Sequence, residues 1–221
     1  MINDFCIVGL PRSGQHGIAT WIMGNLPSPS LFINNKTSIR PDYIWYVNGR
    51  RCQGQIKDVA KFTGHGLEGP SILADQYALP TIFVLRDIKN HMASLIKHKT
   101  LQPKWNEFFE NWMGYAKLCT GQEEKDYPNI VVPFSLWHNS IYLRIDLFNS
   151  FSDIIHCNLD YNDNTRKDVM ASGGGSSFDG QKFIGCGDKM KVLDRWKNVE
   201  LPPIPEDILE INARIFGDIY D

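Results

Sequence analysis

The chain has 221 residues, 43% of them hydrophobic, and a formal net charge of −2. This size and apolar content suffice for one good hydrophobic core, so a single domain over residues 1–221 is expected. The charge disfavours a nucleic-acid-binding protein, which is normally basic, and no apolar run reaches the ~20 residues of a membrane span. Five cysteines without a C-x-x-C pair indicate neither a metal site nor a disulfide framework. With no signal-peptide pattern at the start, these features predict a reducing, cytoplasmic location and no membrane partner.

The first predicted elements are a strand, a tight turn and a helix within residues 5–22, F-C-I-V-G-L-P-R-S-G-Q-H-G-I-A-T-W-I. Strand-forming residues come first, a Gly/Pro-punctuated turn follows, and apolar residues then recur at helical spacing. Such a turn presents backbone N–H groups and the positive end of a helix dipole to a phosphate. We therefore predict a phosphate-binding loop after the first strand. The alternative is an ordinary turn that carries a solvent-exposed arginine.

The loop differs from that of enzymes that hydrolyse ATP or GTP. Gly9 and Gly14 have the spacing of G-x-x-x-x-G-K-[ST], but Gln15 and His16 follow instead of Lys and Ser/Thr. The missing lysine and Mg²⁺-binding hydroxyl disfavour ordinary nucleotide hydrolysis. The cation of this loop is Arg12, which can hold an anionic oxygen through two parallel N–H donors.

A second strand and helix follow at residues 81–98. The run T-I-F-V-L is typical of a strand buried on both faces of a parallel sheet, and Asp87 is a predicted helix N-cap. Arg86 then lies at the carboxyl end of the strand, where α/β sheets bind ligands. Ser94, two turns into the helix, reaches the same anion if the helix runs along the crevice. The alternative is that Ser94 is a small residue in a packing face.

The remaining patterns predict an α/β fold with three α/β/α layers and a central, mainly parallel sheet. Residues 35–60 are predicted to be irregular, and the aromatic segment 105–118 forms a core helix or part of a pocket. The predicted strands are residues 5–9, 31–34, 70–74, 81–85, 130–134 and 154–157, and the predicted helices are residues 15–25, 87–99, 104–119, 136–149, 163–171 and 205–219.

Two motifs together resemble the sulfotransferases that use 3′-phosphoadenosine 5′-phosphosulfate (PAPS). P-R-S-G-Q-H at residues 11–16 is similar to the family's P-[KR]-S-G-T-T loop, which holds the 5′-phosphosulfate. R-D-x-x-x-x-x-x-S at residues 86–94 is similar to the motif that holds the 3′-phosphate. The resemblance covers residues 5–98. It implies that the nucleotide is bound by Arg12, Ser13, Gly14, Gln15, His16, Gly17, Arg86 and Ser94.

Two softer matches extend the resemblance. His65, in the segment K-F-T-G-H-G-L-E-G, falls where cytosolic members carry their catalytic base, although it is otherwise a surface-loop histidine. Residues 172–188 form a Gly/Ser-rich possible lid, or else a linker, before W-K-N at residues 196–198. In the family such a segment closes over the 3′-phosphate, and the cations available for this contact are Lys189, Lys191 and Arg195.

The loop also departs from the family. Gln15 and His16 replace the Thr-Thr pair, and Gly17 replaces an aromatic residue that stacks on adenine. The backbone N–H donors do not depend on these side chains, so the anion site is retained. Other contacts must hold the phosphates and the adenine, and His16 is a second candidate, beside His65, for the general acid or base.

The activity that the resemblance implies is transfer of a sulfuryl group from PAPS to a hydroxyl of a carbohydrate or small molecule. The product nucleotide is 3′-phosphoadenosine 5′-phosphate (PAP). Arg12 stabilises the leaving group, His65 accepts the acceptor's proton, and no metal is needed. The alternatives are a non-catalytic nucleotide-binding homologue and a P-loop small-molecule kinase.

Overall fold

The computed structural model describes residues 5–27, 30–34, 42–47, 50–53, 65–68, 78–98, 103–157, 159–164, 178–180, 182–183, 185–217 and 219. These residues form seven strands: β1 (Phe5–Gly9), β2 (Ser30–Asn34), β3 (Asp42–Val47), β4 (Arg50–Gln53), β5 (His65–Glu68), β6 (Thr81–Leu85) and β7 (Asn129–Pro133). They also form six α-helices: α1 (Gln15–Asn25), α2 (Ile88–Lys97), α3 (Trp105–Cys119), α4 (Phe134–Asn139), α5 (Ile141–Ile154) and α6 (Glu206–Phe216).

The seven strands form one sheet in the order β4-β3-β2-β5-β1-β6-β7. Neighbours from β2 to β7 run parallel, whereas β3 and β4 add an antiparallel edge. The prediction of a mainly parallel sheet with a loop after its first strand is confirmed. From β1 the chain continues to one side of the sheet and from β6 to the other. The carboxyl ends of β1 and β6 therefore flank the switch point at which such sheets bind ligands.

Strand β1 is buried on both faces, and its alternating side chains separate two layers of helices. Phe5 and Ile7 join a core with residues of α1 and α5, including Trp21 and Phe148. On the opposite face, Cys6 and the neighbouring apolar side chains pack towards α3. Strand β6 is likewise buried along its whole length, as its apolar run predicts. This alternation produces the three-layer α/β/α arrangement.

A third apolar cluster joins α2, α3 and α6 beyond the end of β6. Its members include Leu85, Ile88, Trp112 and Ile208. Trp112 Nε1 donates to the Arg86 carbonyl at 2.8 Å, and the Ile88 amide donates to Asn212 Oδ1 at 2.9 Å. These buried bonds fix the backbone between β6 and α2, which carries Arg86.

The sequence predictions for residues 35–60 and 154–157 were wrong. Residues 35–60 are not irregular throughout, because 42–47 and 50–53 pair as the hairpin β3–β4. Residues 154–157 are not a strand, since α5 runs to Ile154 and is followed by a turn in which His156 has φ 54°. Residues 54–64, 70–74 and 165–177 lie outside the described part of the chain.

The predicted helix 136–149 is two helices that meet at Ser140. Its hydroxyl accepts a hydrogen bond from the Leu143 amide at 3.2 Å, so Ser140 caps α5. The single-domain assignment stays a prediction.

Candidate anion-binding site

The loop between β1 and α1 has the backbone shape of an anion-binding nest. Arg12 and Gly14 have φ 70° and 102°, and the Ser13 amide donates to the Leu10 carbonyl at 3.0 Å. Helix α1 begins at Gln15, and the first N–H groups of any helix have no acceptor within that helix. Left-handed residues before a helix start turn successive N–H groups towards one point. This backbone geometry is the kind that can receive an anion.

Two glycines allow this loop to pack closely. A Cβ atom on Gly9 would collide with Ser13 Oγ and would lie 2.7 Å from Gln15 Oε1. One on Gly14 would lie 2.5 Å from the Phe134 ring. The steric requirement is firm at Gly14, whose φ is also positive, whereas at Gly9 the close atoms are side-chain ends that can turn aside.

Two side chains beyond β6 hold consecutive carbonyls of the loop. Arg86 Nη1 donates to the Arg12 carbonyl at 3.2 Å, and His91 Nε2 lies 2.8 Å from the Pro11 carbonyl. The Arg86 guanidinium also lies 5.6 Å from the centre of the Phe134 ring. The two motifs recognised in the sequence therefore contact each other directly.

The N-terminus of α2 connects the loop to the C-terminal third of the chain. Asp87 caps α2 by accepting from the Asn90 amide at 3.0 Å, as predicted, and also accepts from the Ser135 hydroxyl. Asn90 in turn donates to the Leu193 carbonyl at 2.8 Å and accepts from the Trp196 amide at 3.2 Å. These bonds place the W-K-N segment against the helix that follows Arg86.

Of the three cations left open by the sequence, Arg195 lies at this site. It is buried, its Nη2 donates to Asp179 Oδ2 at 2.6 Å, and its guanidinium lies 5.2 Å from the Phe178 ring. Burial lowers the pKa of Arg195, Asp179 opposes this, and the charge of Arg12 lowers it further. Lys189 and Lys191 are exposed. The charge of Arg12 thus acts on Arg195, and a bound anion would offset this repulsion.

The polar atoms of the loop fit an anionic ligand. Arg12 Nε and Ser13 Oγ are buried and have no hydrogen-bond partner among the described residues. Burial also lowers the pKa of Arg12. Buried polar groups are normally hydrogen-bonded, so such groups at the start of a helix suit a phosphate or sulfate.

Ser94 lies on the face of α2 that also carries His91, because it follows His91 by three residues. It is 1% exposed. His16 and Gln15 occupy the first turn of α1 and are half-buried. Gln15 and His16 therefore adjoin the loop, and the anion contact assigned to Ser94 stays a prediction.

His65 is not in a loop. It is the first residue of β5, and Phe5 pairs with Gly66 in the parallel register. The loop, in contrast, follows the carboxyl end of β1 at Gly9. Along β1, the position paired with Gly66 is four residues from Gly9, a distance of about 13 Å at the usual rise of a strand. The structure therefore does not bring the His65 backbone to the loop.

Sequence reasoning missed Phe134 and His91. Phe134 directly follows β7, and a Cβ on Gly17 would lie 3.5 Å from its ring, so Phe134 fills the space beside the glycine that replaces the family's aromatic. The rule that located Arg86, the carboxyl end of a buried parallel strand, also locates Phe134. Nothing in the sequence distinguishes His91 from a core histidine.

Comparison with known proteins supports a fold assignment. No protein-family model and no curated protein sequence matches the chain. Among solved structures, the chain is similar to mouse sulfotransferase SULT7A1, crystallised in complex with PAP, with a TM-score of 0.51. The two share 14% identity, and the match covers 98% of this chain and 85% of the other. The chain has a sulfotransferase-like fold.

The described residues of this sulfotransferase-like fold contain neither a candidate metal site nor a candidate membrane span. No group of three or more His, Cys, Asp or Glu side chains there is arranged to hold a metal ion. No described helix is long and apolar enough to cross a membrane.

The two glycines beside Phe134 give a matched pair of substitutions. Gly14→Ala is expected to destabilise the protein by about 2–4 kcal/mol, because a left-handed alanine is strained and its Cβ meets the Phe134 ring. Gly17→Ala, within α1 and in ordinary contact distance, is expected to be neutral or to stabilise by up to about 1 kcal/mol. Urea unfolding measures both; equal effects would contradict this account of the loop.

His91 makes stability depend on pH. Burial first, and then the charges of Arg86 and Arg12, lower the pKa of His91 from 6.5 to about 3, although the bond to Pro11 opposes this. Between these values the unfolded chain binds a proton that the native protein does not. The free energy of unfolding therefore falls as pH falls from 6.5 towards 3. Urea unfolding at several pH values should show a smaller fall for His91→Gln than for wild type. Parallel curves would refute this role of His91.

Proposed function

We propose that the protein is a sulfotransferase that moves a sulfuryl group from PAPS to a hydroxyl of a carbohydrate or small molecule. The observation that carries this proposal is the contact between its two anion-binding elements, Arg86 Nη1 to the Arg12 carbonyl at 3.2 Å. The similarity to a PAP-bound sulfotransferase supports it. PAPS supplies an activated sulfuryl group; its sulfur bonds to the acceptor oxygen as the bond to the 5′-phosphate breaks, which leaves PAP.

In this proposal the two ends of the nucleotide have separate binding groups. The 5′-phosphosulfate is held by the backbone of residues 12–17 and by the positive end of α1. The 3′-phosphate is held by Arg86 and Ser94, and we add Arg195, because its segment is bonded to Asn90 at the start of α2. Phe134, beside Gly17, offers an aromatic ring near the loop.

Arg12 stabilises the leaving group. It is the cation of the loop, and its buried Nε has no partner among the described residues. A guanidinium in a partly desolvated site interacts strongly with the negative charge that develops on the departing oxygen.

The base that accepts the acceptor's proton is proposed to be His16 and not His65. His16 lies in the first turn of α1, next to the loop that holds the sulfuryl group. His65 lies at the amino end of β5, at the opposite end of the parallel strands from that loop. An imidazole is suited to proton transfer near neutral pH.

A non-catalytic nucleotide-binding homologue is the second candidate. Gln15 and His16 replace the hydroxyl pair of the family's loop, and His65 is remote from the loop. These two observations favour binding without transfer. A kinase is less well supported, because the loop has no lysine after Gly14.

Replacing the loop cation tests the proposed chemistry. Arg12→Ala should reduce kcat for sulfuryl transfer by about 10²-fold or more, the usual cost of a lost oxyanion donor. Transfer of a radiolabelled sulfuryl group from PAPS to a panel of carbohydrates and phenols measures it. Lys191→Ala removes an exposed cation of the same chain and should leave kcat unchanged. Full turnover in Arg12→Ala would reject the assigned role. Binding of PAP with no transfer to any acceptor would favour the second candidate.

The two histidines can be compared in the same assay. His16→Asn should lower kcat by about 10²-fold or more, and His65→Asn should leave it nearly unchanged. A larger loss of kcat in His65→Asn than in His16→Asn would assign the base role to His65. It would also show that the register of β5 does not keep His65 away from the loop.

A further inference from the structure

His91 is a buried histidine whose contacts connect α2 with the anion-binding loop. It is 1% exposed, and its Nε2 lies 2.8 Å from the Pro11 carbonyl oxygen. Its ring packs edge-on against the Phe108 ring, with 5.0 Å between the ring centroids. A carbonyl oxygen only accepts hydrogen bonds, so Nε2 is the nitrogen that carries the proton. The buried Nδ1 has no hydrogen-bond partner among the described residues.

This bond controls the direction of a loop amide. In a trans peptide the C=O and the following N–H point in opposite directions, so the bond that holds the Pro11 carbonyl also directs the Arg12 N–H away from His91. Arg86 Nη1 holds the next carbonyl, that of Arg12. Between these two fixed peptides the Arg12 backbone has φ 70°, a conformation that residues with a Cβ rarely adopt. Such a conformation persists only where surrounding contacts impose it.

The charge state of His91 suits this position. Burial, with added repulsion from Arg86 and Arg12, lowers its pKa to about 3, so the ring is neutral near neutral pH. A neutral donor holds the loop without adding a positive charge beside the two guanidiniums. A lysine at this position would add such a charge.

We propose that His91 is a positioning residue, whose neutral Nε2–H holds the Pro11 peptide and thereby the left-handed Arg12 backbone in the conformation that binds the nucleotide's anionic group. This inference rests on the proposed function for the identity of that ligand. His91 itself is separated from the ligand by the loop backbone and does not take part in the chemistry.

Three variants separate the hydrogen bond from simple core packing. His91→Gln keeps an N–H donor at a similar reach, His91→Leu replaces it with an apolar group, and Met92→Ala removes a neighbouring buried side chain of α2. Titration calorimetry with PAP should show affinity about tenfold or more weaker in His91→Leu. The affinities of His91→Gln and Met92→Ala should stay within about threefold of wild type. Thermal unfolding, measured in parallel, should show that Met92→Ala loses stability without losing affinity.

Two results would overturn the inference. One is wild-type affinity in His91→Leu, and the other is an equal loss in His91→Leu and His91→Gln. If His91→Leu does not fold, retained affinity in His91→Gln together with an Nε2–H tautomer, seen by NMR of isotope-labelled histidine, supports the proposal. A tenfold loss in that variant, or an Nδ1–H tautomer, overturns it.

Failure of the proposed function gives a different pattern. If wild type does not bind PAP, the nucleotide assignment fails, and the role of His91 is then decided by NMR alone. An Nε2–H tautomer, with the Arg12 amide signal displaced in His91→Leu but not in Met92→Ala, upholds the positioning role. An undisplaced Arg12 signal rejects it.

Discussion

The structure of the site depends on how the backbone at Pro11 and Arg12 is held. Arg12, a residue with a Cβ, is placed at φ 70°, two residues before the N-cap of a helix that needs partners for its first N–H groups. The contacts that impose this conformation come from the chain beyond β6, about 75 residues later, through Arg86 and His91. The loop therefore combines a local turn, in which the Ser13 amide bonds to the Leu10 carbonyl, with tertiary contacts from the chain beyond β6.

The groups that hold the loop are themselves fixed by buried bonds. The Arg86 carbonyl accepts from Trp112, and the next residue, Asp87, caps α2 and accepts from Ser135. The same helix start holds the segment that carries Arg195. Arg86 thus bonds to the Arg12 backbone, and the charge of Arg12 acts on Arg195, in a chain whose net charge is only −2. The repulsion between Arg12 and Arg195 favours an anionic ligand, and overall charge gives no sign of it.

The parts of this fold that could be predicted from the sequence are those with a strong local sequence pattern. The buried runs of β1 and β6, the turn after β1 and the Asp87 cap were all found, because each depends on nearby residues. The hairpin β3–β4 was missed. Strand β3 contains the apolar run Y-I-W-Y-V, but its partner β4 reads R-R-C-Q and gives no strand signal of its own. His65 was assigned from a spacing along the chain, which does not reveal the register of β5 against β1. His91 and Phe134 were missed because their contacts with the loop link residues far apart in sequence.

The central claim is that this loop and Arg86 form one site for a nucleotide that carries both a 5′- and a 3′-phosphate. Titration calorimetry should compare PAP with adenosine 5′-phosphate and with ATP–Mg²⁺, on wild type and on Arg86→Ala. The account predicts that wild type prefers PAP, and that Arg86→Ala loses the preference conferred by the 3′-phosphate. Preferential binding of ATP–Mg²⁺, or equal affinity for PAP and adenosine 5′-phosphate in wild type, would contradict it.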